Sequence, residues 1–443
     1  MEAKVRVRSS GNSEFNRDGG RQAFRRASHA GSTGNAEPPD NDHRETASLT
    51  FSGSFTQQEA IPDEAIDAAV EVMRSGRLHR YNVVANELSE TALLEKEFAA
   101  MAGRRFCLAV CTGGYAITCA LRALDLLPGE TVLTNAFTLA PVPGAIVAAG
   151  GLPALVESDE DLRIDLDDLQ GKMERASARI LVLSHMRGHI CDMDRLMELC
   201  DRSGVTVVED CAHTMGAAWS DTWSGNHGSV ACYSTQTYKH VNSGEGGLLT
   251  TDDADLMAKA IVLSGSYMLF GRHAAAPAAA EFGAIPYGYP NCSGRMDNLR
   301  AAILRPQLRR LERNCAEWLL RYRTVEQGLE LIDAVQTIPR SQREAFVGSS
   351  IQFRLPGFSS AMVSRVVRDA SARGVELKWF GSEQAEGYTS RSDHWRYIPE
   401  RDCPKTKDAL SCLLDMRLPL TFSIADCRTI VAIVRDVVNR TAG

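Results

Sequence analysis

Three short stretches of this 443-residue chain carry residue types whose spacing could do chemistry. The first is Ser234-Thr235-Gln236-Thr237-Tyr238-Lys239, followed by Ser243-Gly244-Glu245-Gly246-Gly247. An isolated lysine is ordinarily a solvated surface residue. Lys239 instead stands between apolar runs at Cys232-Tyr233 and Leu248-Leu249, among small and hydroxylic residues suited to a pocket wall. Burial there would lower its pKa and free the amine to form imines with carbonyl compounds. The second stretch, Val207-Val208-Glu209-Asp210-Cys211-Ala212-His213, is an apolar run that ends in carboxylates. Asp210 either caps the next turn or is a buried anion held opposite a cation, at the sheet edge where open α/β folds bind ligands. The third, Cys111-Thr112-Gly113-Gly114-Tyr115, reads as a Gly-bearing turn into a helix that begins near Ala116. Amides at a helix N-terminus, with glycine allowing close approach, can cradle a phosphate, although a Gly-Gly pair alone is more often only a turn.

A phosphate cradle, a strand-end carboxylate and a pocket lysine are together what a pyridoxal phosphate site requires, since the protein must anchor that cofactor and tune its ring. No metal is expected. The twelve cysteines include no C-x-x-C pair, and Cys107 and Cys111 fall in a run that reads as buried strand, so both are assigned to the core.

The elements that must position these residues follow from periodicity. Ile66, Ala69, Val70 and Met73 recur at helical spacing after a Pro-Asp-Glu start, and a second helix through Leu93, Phe98 and Met101 stops at Gly103. Apolar runs at 106–110, 131–134, 151–156, 179–183, 205–208, 230–233 and 247–250 alternate with helical patterns, which predicts a mostly parallel sheet sandwiched by helices. Residues 49–300 are expected to form this large α/β cofactor domain and 301–443 a smaller α+β C-terminal domain, with helices at 362–372 and 424–438. Residues 1–48, rich in Gly, Ser, Asn and Arg, are expected to be a disordered tail. A net charge of −7 offers no field for nucleic acid, no apolar run is long enough to span a membrane, and scattered cysteines without an apolar signal peptide predict a cytoplasmic chain.

In order and spacing these segments resemble the DegT/DnrJ/EryC1/StrS family of pyridoxal-phosphate sugar aminotransferases, of the aspartate aminotransferase fold type I. The likeness runs from about Pro62 through Arg295-Met296 and more loosely to Leu418-Pro419-Leu420. It rests on Gly129-Glu130-Thr131-Val132 before Phe137-Thr138, Asp192-Met193 before a helix, Glu209-Asp210, and Gly244-Glu245-Gly246-Gly247. The resemblance implies that Lys239 forms the Schiff base and shuttles the proton, while Asp210 pairs with the protonated pyridine nitrogen. It also implies that Gly113, Gly114 and Ser234 hold the phosphate, that Phe137 stacks on the ring unless it is simply core, and that His213 stands where many relatives carry Gln beside the ring hydroxyl. Where relatives have a short Asn-x-Arg-Met, this chain has Asn291-Cys292-Ser293-Gly294-Arg295-Met296. Asn291 and Arg295 are both candidates to reach a neighbouring subunit's cofactor, which implies a homodimer with shared sites. The implied reaction moves an amino group from glutamate or glutamine to a keto sugar, nucleotide-linked in some relatives, or a keto cyclitol, in antibiotic, secondary-metabolite or surface-sugar biosynthesis. A ring-forming elimination and a non-catalytic cofactor-binding regulator are the alternatives. The lysine speaks against a family dehydratase, which carries His there. The stretch 268–290 is expected to be a substrate-facing loop, and Trp379, Phe380, Tyr388 and Trp395 either line an acceptor pocket or belong to a core.

Overall fold

The computed structural model describes residues 49–84, 87–389 and 391–443, so the expected tail at 1–48 lies outside the described residues. Seven five-residue strands build the central sheet: β1 Phe106–Val110, β2 Thr131–Asn135, β3 Leu152–Val156, β4 Ile180–Ser184, β5 Thr206–Asp210, β6 Val230–Ser234 and β7 Gly247–Thr251. Their order is β1-β7-β6-β5-β4-β2-β3. Strands β3, β2, β4, β5 and β6 are parallel, and only β7, between β6 and β1, runs the other way. Helices cover both faces, which is why the strands are continuous apolar runs rather than alternating ones. The expected strands match within two residues. The topology brings the carboxyl ends of β1, β2, β4, β5 and β6 to one edge, where Val110, Asn135, Ser184, Asp210 and Ser234 end their strands and Gly247 begins β7.

Helix α1, Asp63–Ser75, packs Ala65 and Ala69 inward, whereas Ile66 and Met73 are 46 % and 54 % exposed. Close approach to the helix Asn298–Leu308 selects the small alanine face and turns the larger residues outward. Helix α2, Glu90–Ala102, starts on the Ser89 side chain, which accepts from the Ala92 amide, and ends at Gly103 in the left-handed region at φ 70°. Helix α3 begins at Gly113, three residues before the expected start, because the Thr112 hydroxyl caps it by accepting from the Tyr115 amide at 3.0 Å. The glycine pair is therefore the first turn of the helix. Cys107 is buried as expected, but Cys111, in the extended link to the cap, is only half-buried.

Beyond the helix Leu311–Leu329 lies a second, antiparallel sheet of β8 Gln336–Thr337, β9 Ser350–Arg354, β10 Lys378–Trp379 and β11 Leu413–Arg417, in the order β8-β9-β11-β10. Helices Ser360–Ser371 and Ile424–Ala442 enclose a core with Phe353, Val363, Leu414, Ile430 and Val434. Phe51 and Phe55 join this core, edge-on to Phe422 at 5.0 and 4.9 Å. Alternation along β11 puts Asp415 and Arg417 on one face. No described helix is long and apolar enough to cross a membrane.

Candidate active site

At the carboxyl edge of the central sheet is a cavity of about 430 Å³ lined by Thr112, Gly113, Gly114, Thr138, Ser184, Asp210, His213, Ser234, Gln236 and Lys239, among others. Six residues singled out from the sequence, Lys239, Asp210, His213, Gly113, Gly114 and Ser234, thus converge from the ends of three strands, β1, β5 and β6.

The α3 end of the cavity is built for an anion. The amides of Gly113 and Gly114 lie in the first turn, where no intrahelical acceptor exists, and the helix dipole adds partial positive charge. Packing there requires bare backbone. A Cβ on Gly113 would sit 2.9 Å from that of Ser234, and one on Gly247 only 2.4 Å from the Thr112 carbonyl oxygen. Ser234 is brought alongside by the β6–β7–β1 pairing, in which Ser234 and Val110 both face Gly247.

At the opposite side Asp210 is buried and held by a relay. The Ser184 hydroxyl donates to Asp210 Oδ2 at 2.8 Å, the Thr138 hydroxyl donates to Ser184 Oγ at 2.8 Å, and the Ala212 amide donates to Oδ1 at 3.2 Å. Asn135 fixes the relay in turn, accepting from the Ser184 amide at 2.9 Å and donating to its carbonyl at 2.7 Å. Neighbouring Glu209 points the other way and accepts from the Gly225, His227 and Gly228 amides, with His185 Nε2 3.0 Å away. Of the two carboxylates that end β5, only Asp210 serves the cavity.

Lys239 Nζ lies 2.8 Å from His213 Nε2. Burial pulls the lysine pKa down to about 7, opposed by the Asp210 carboxylate and reinforced by Arg187 and Arg417. Burial, with Lys239 and Arg187 adding to it, holds His213 well below the usual histidine range, so its ring is neutral. An ammonium can only donate, so while Lys239 is protonated Nε2 is the acceptor and Nδ1 carries the ring proton. Near neutral pH the arrangement supplies a free amine at a fixed point, which is the state required to attack a carbonyl.

A second, more open cavity of about 600 Å³ continues past Lys239, His213 and Gln236 to Arg187, Lys378, Tyr388, Asp415 and Arg417. Arg187 adopts φ 55°, ψ 22° beside Gly188, an uncommon conformation for a long side chain. Its guanidinium forms a buried pair with Asp415 at 2.7 Å and donates to the Tyr388 hydroxyl at 2.5 Å.

Other expectations need correction. Phe137 does not line the cavity. It is fully buried with Leu162, Met186 and Ile338, edge-on to Phe380 at 5.2 Å, and the chain after β2 turns Thr138 and Leu139 toward the cavity in its place. Asn291 and Arg295, expected to reach a neighbouring subunit's cofactor, line neither of these two cavities, as that expectation allows. Arg295 donates to the Gly265 carbonyl at 2.5 Å and stacks over Tyr267 at 5.4 Å. No residue of 268–290 lines either cavity. Phe270 stacks on Phe282 at 4.6 Å, and Tyr289 donates to Asp125 at 2.5 Å, which folds the stretch back on its own domain. Of the four aromatics considered for an acceptor pocket, Tyr388 lines the second cavity, while Phe380 and Trp395 are buried core and Trp379 donates to the Ser411 carbonyl. Sequence reasoning missed Thr138, Ser184, Arg187, Gln236 and Arg417. Ser184 carried one signal, since it ends a buried strand on the ligand-binding edge, and Arg187 follows in the turn just beyond it.

Residues 59–435 match the profile of the DegT/DnrJ/EryC1/StrS aminotransferase family. A GDP-perosamine synthase of Caulobacter vibrioides is 31 % identical over 291 residues, 64 % of this chain and 74 % of that protein. A putative L-glutamine:3-amino-2,3-dideoxy-scyllo-inosose aminotransferase of Micromonospora echinospora is 27 % identical over 314 residues, 69 % of this chain and 73 % of the other. Among solved structures, 3-amino-5-hydroxybenzoic acid synthase shares the fold with a TM-score of 0.75 at 23 % identity, covering 89 % of this chain and all of that one.

Proposed function

The chain belongs to the DegT/DnrJ/EryC1/StrS aminotransferase family, and from that premise we propose that it uses pyridoxal phosphate to move an amino group from glutamate or glutamine to a keto sugar or keto cyclitol. The observation that carries the reading is the convergence of a lysine amine with a pKa of about 7, a relay-held buried carboxylate and an open helix N-terminus on one cavity. These residues fit the cofactor. The Gly113 and Gly114 amides and the Ser234 hydroxyl would hold its phosphate, Asp210 its ring nitrogen and Lys239 its carbonyl carbon. When bound, the cofactor supplies an electron sink for carbon next to nitrogen.

The chain's own residues do the rest. Asp210, fixed by Ser184 and the Ala212 amide, would hold a proton on the ring nitrogen by accepting a charge-assisted hydrogen bond from it. Lys239 Nζ, unprotonated above about pH 7, would take the proton from the donor's carbon and hand it to the cofactor's former carbonyl carbon. His213 Nε2 accepts from Nζ and sets its direction. Thr138, Leu139 and Pro141 close the side that Phe137 does not. Acceptors of the keto sugar or cyclitol class are suggested by the named activities of the two relatives. Exposed Ile66, Met73 and Leu78, with Asn291 and Arg295 lining neither described cavity, support a homodimer in which Asn291 or Arg295 serves the second copy's site.

The test is spectroscopic. Wild-type protein mixed with pyridoxal phosphate should show a visible absorbance band that Lys239→Ala lacks, and addition of glutamate or glutamine should discharge it. A wild type that forms no such band would refute the proposal.

A further inference from the structure

The second cavity holds a cation that the proposed chemistry leaves unused. Three positively charged side chains line it beyond Lys239: Arg187, Lys378 and Arg417. Two are engaged. Arg187 is matched by Asp415 at 2.7 Å with both side chains nearly buried, and Lys378 Nζ donates to the Glu386 and Tyr388 carbonyls at 2.7 and 3.3 Å. Arg417 has no carboxylate and no hydrogen-bond acceptor for its guanidinium among the described residues. It is half-buried, and its guanidinium lies 3.9 Å from the centre of the Tyr238 ring, the residue just before Lys239. Stacking holds the planar fork in place and leaves its N–H edge free. The alternation of β11 points it to the same side as Asp415, into the cavity that Lys239 also lines.

We propose that Arg417 binds a carboxylate of one of the two substrates, so that the enzyme selects a carboxylate-bearing small molecule and presents its carbon bearing the amine or ketone to Lys239. A guanidinium and a carboxylate match as two parallel N–H···O bonds, which fixes orientation as well as position. Charge bookkeeping favours a singly charged anion over a phosphate. Beyond Lys239 the lining holds as many carboxylates (Asp415 and the exposed Glu376 and Glu386) as cations, which disfavours a dianion, and Arg417 is the cation there with neither a paired carboxylate nor a hydrogen-bond acceptor among the described residues. That Arg417 reaches the reacting centre electrostatically is consistent with its contribution to the lowered pKa values of Lys239 and His213.

The inference rests on the aminotransferase reading for the identity of the substrates, but its first test does not need the cofactor. Glutarate is titrated calorimetrically into the protein with and without pyridoxal phosphate, with pentane-1,5-diol as the uncharged control. Wild type should bind glutarate and not the diol. Arg417→Gln should weaken glutarate about 10-fold or more, with Arg417→Lys in between. Tyr238→Ala, at an exposed site that does not threaten folding, should weaken it about 3-fold by releasing the stack. Glutarate that fails to bind wild type, or binds Arg417→Gln equally well, overturns the proposal. The glutamate-driven discharge of the visible band then identifies the source. A 10-fold higher half-saturating glutamate in Arg417→Gln assigns the carboxylate to the donor, and an unchanged one assigns it to the acceptor. Absence of the band in wild type defeats the cofactor reading and leaves the calorimetric result to decide the fate of Arg417 alone.

Discussion

Replacing Ser184 with alanine removes two hydrogen bonds at once and isolates what holds Asp210 in place. The Ser184 hydroxyl donates to the buried carboxylate and accepts from Thr138, both at 2.8 Å, and Thr138 is fully buried. A hydrogen bond to a charged group contributes about 1.5–3 kcal/mol, and a buried hydroxyl stranded without an acceptor costs about 1–3 kcal/mol more. Ser184→Ala should therefore destabilise the protein by about 2.5–6 kcal/mol. Thr138→Val removes only the outer, neutral bond and strands no donor, so its expected cost is about 1 kcal/mol. The double variant has no stranded hydroxyl, so its loss should fall short of the sum of the singles by about 1–3 kcal/mol. Urea unfolding midpoints at constant slope measure all three, and pyridoxal phosphate affinity should fall in Ser184→Ala because Asp210 is no longer positioned. A Ser184→Ala cost within about 0.5 kcal/mol of zero, or strict additivity in the double variant, would show that the relay does not hold Asp210.

The remaining predictions concern the amine, the cradle and the scaffold. Because burial pulls the Lys239 pKa down to about 7, the free amine dominates above that pH. The rate of pyridoxal phosphate capture, followed at the visible band, should rise through about pH 7 and level off by about pH 8; a midpoint near the ordinary lysine value of about 10.4 would contradict the desolvated pocket. Gly247→Ala would place a Cβ 2.4 Å from the Thr112 carbonyl oxygen and should cost more than about 2 kcal/mol and weaken cofactor binding. Gly114→Ala, whose Cβ would meet nothing closer than 3.8 Å, should leave unfolding midpoints nearly unchanged. Below the site, Arg80 and Glu95 form a buried pair at 2.7 Å, and Glu95→Gln, which leaves Arg80 unpaired, should cost about 3–5 kcal/mol. Burial alone would raise the Glu95 pKa, but Arg80 and His273 hold it down to about 2. The stability it contributes is therefore present above the ordinary carboxylate pKa and is lost as pH falls toward 2. Thermal midpoints of wild type and Glu95→Gln should converge in that window, and a constant gap down to pH 2 would argue against the linkage.

Much of the cavity was legible because its parts are local. Lys239 lies five residues past a strand end, Asp210 ends its strand, and Gly113-Gly114 opens a helix. Each is a residue type beside an element boundary, and parallel-sheet topology carries such boundaries to one edge. What sequence could not supply is pairing across distant segments. The relay joins Thr138, Ser184 and Asp210 from three strands, and the wall of the second cavity joins Arg187 to Asp415 and Arg417 to Tyr238 across the two sheets. Neither residue type nor spacing reports those partners. Phe137 shows the reverse failure. An aromatic next to a strand end is equally suited to a ring face and to a core, and the direction of the backbone after β2 decided for the core. At Ile66 and Met73 helical periodicity identified the helix but not its buried face, which contact with the helix at 298–308 gave to alanine.

The central claim is that Lys239 is the residue that joins the cofactor. Wild type and Lys239→Ala should be incubated with pyridoxal phosphate, reduced with borohydride and digested, and the peptides weighed. The account predicts one modified peptide, containing Lys239, in wild type and none in the variant. Modification of a different lysine at equal yield in both proteins, or no adduct in wild type, would contradict it.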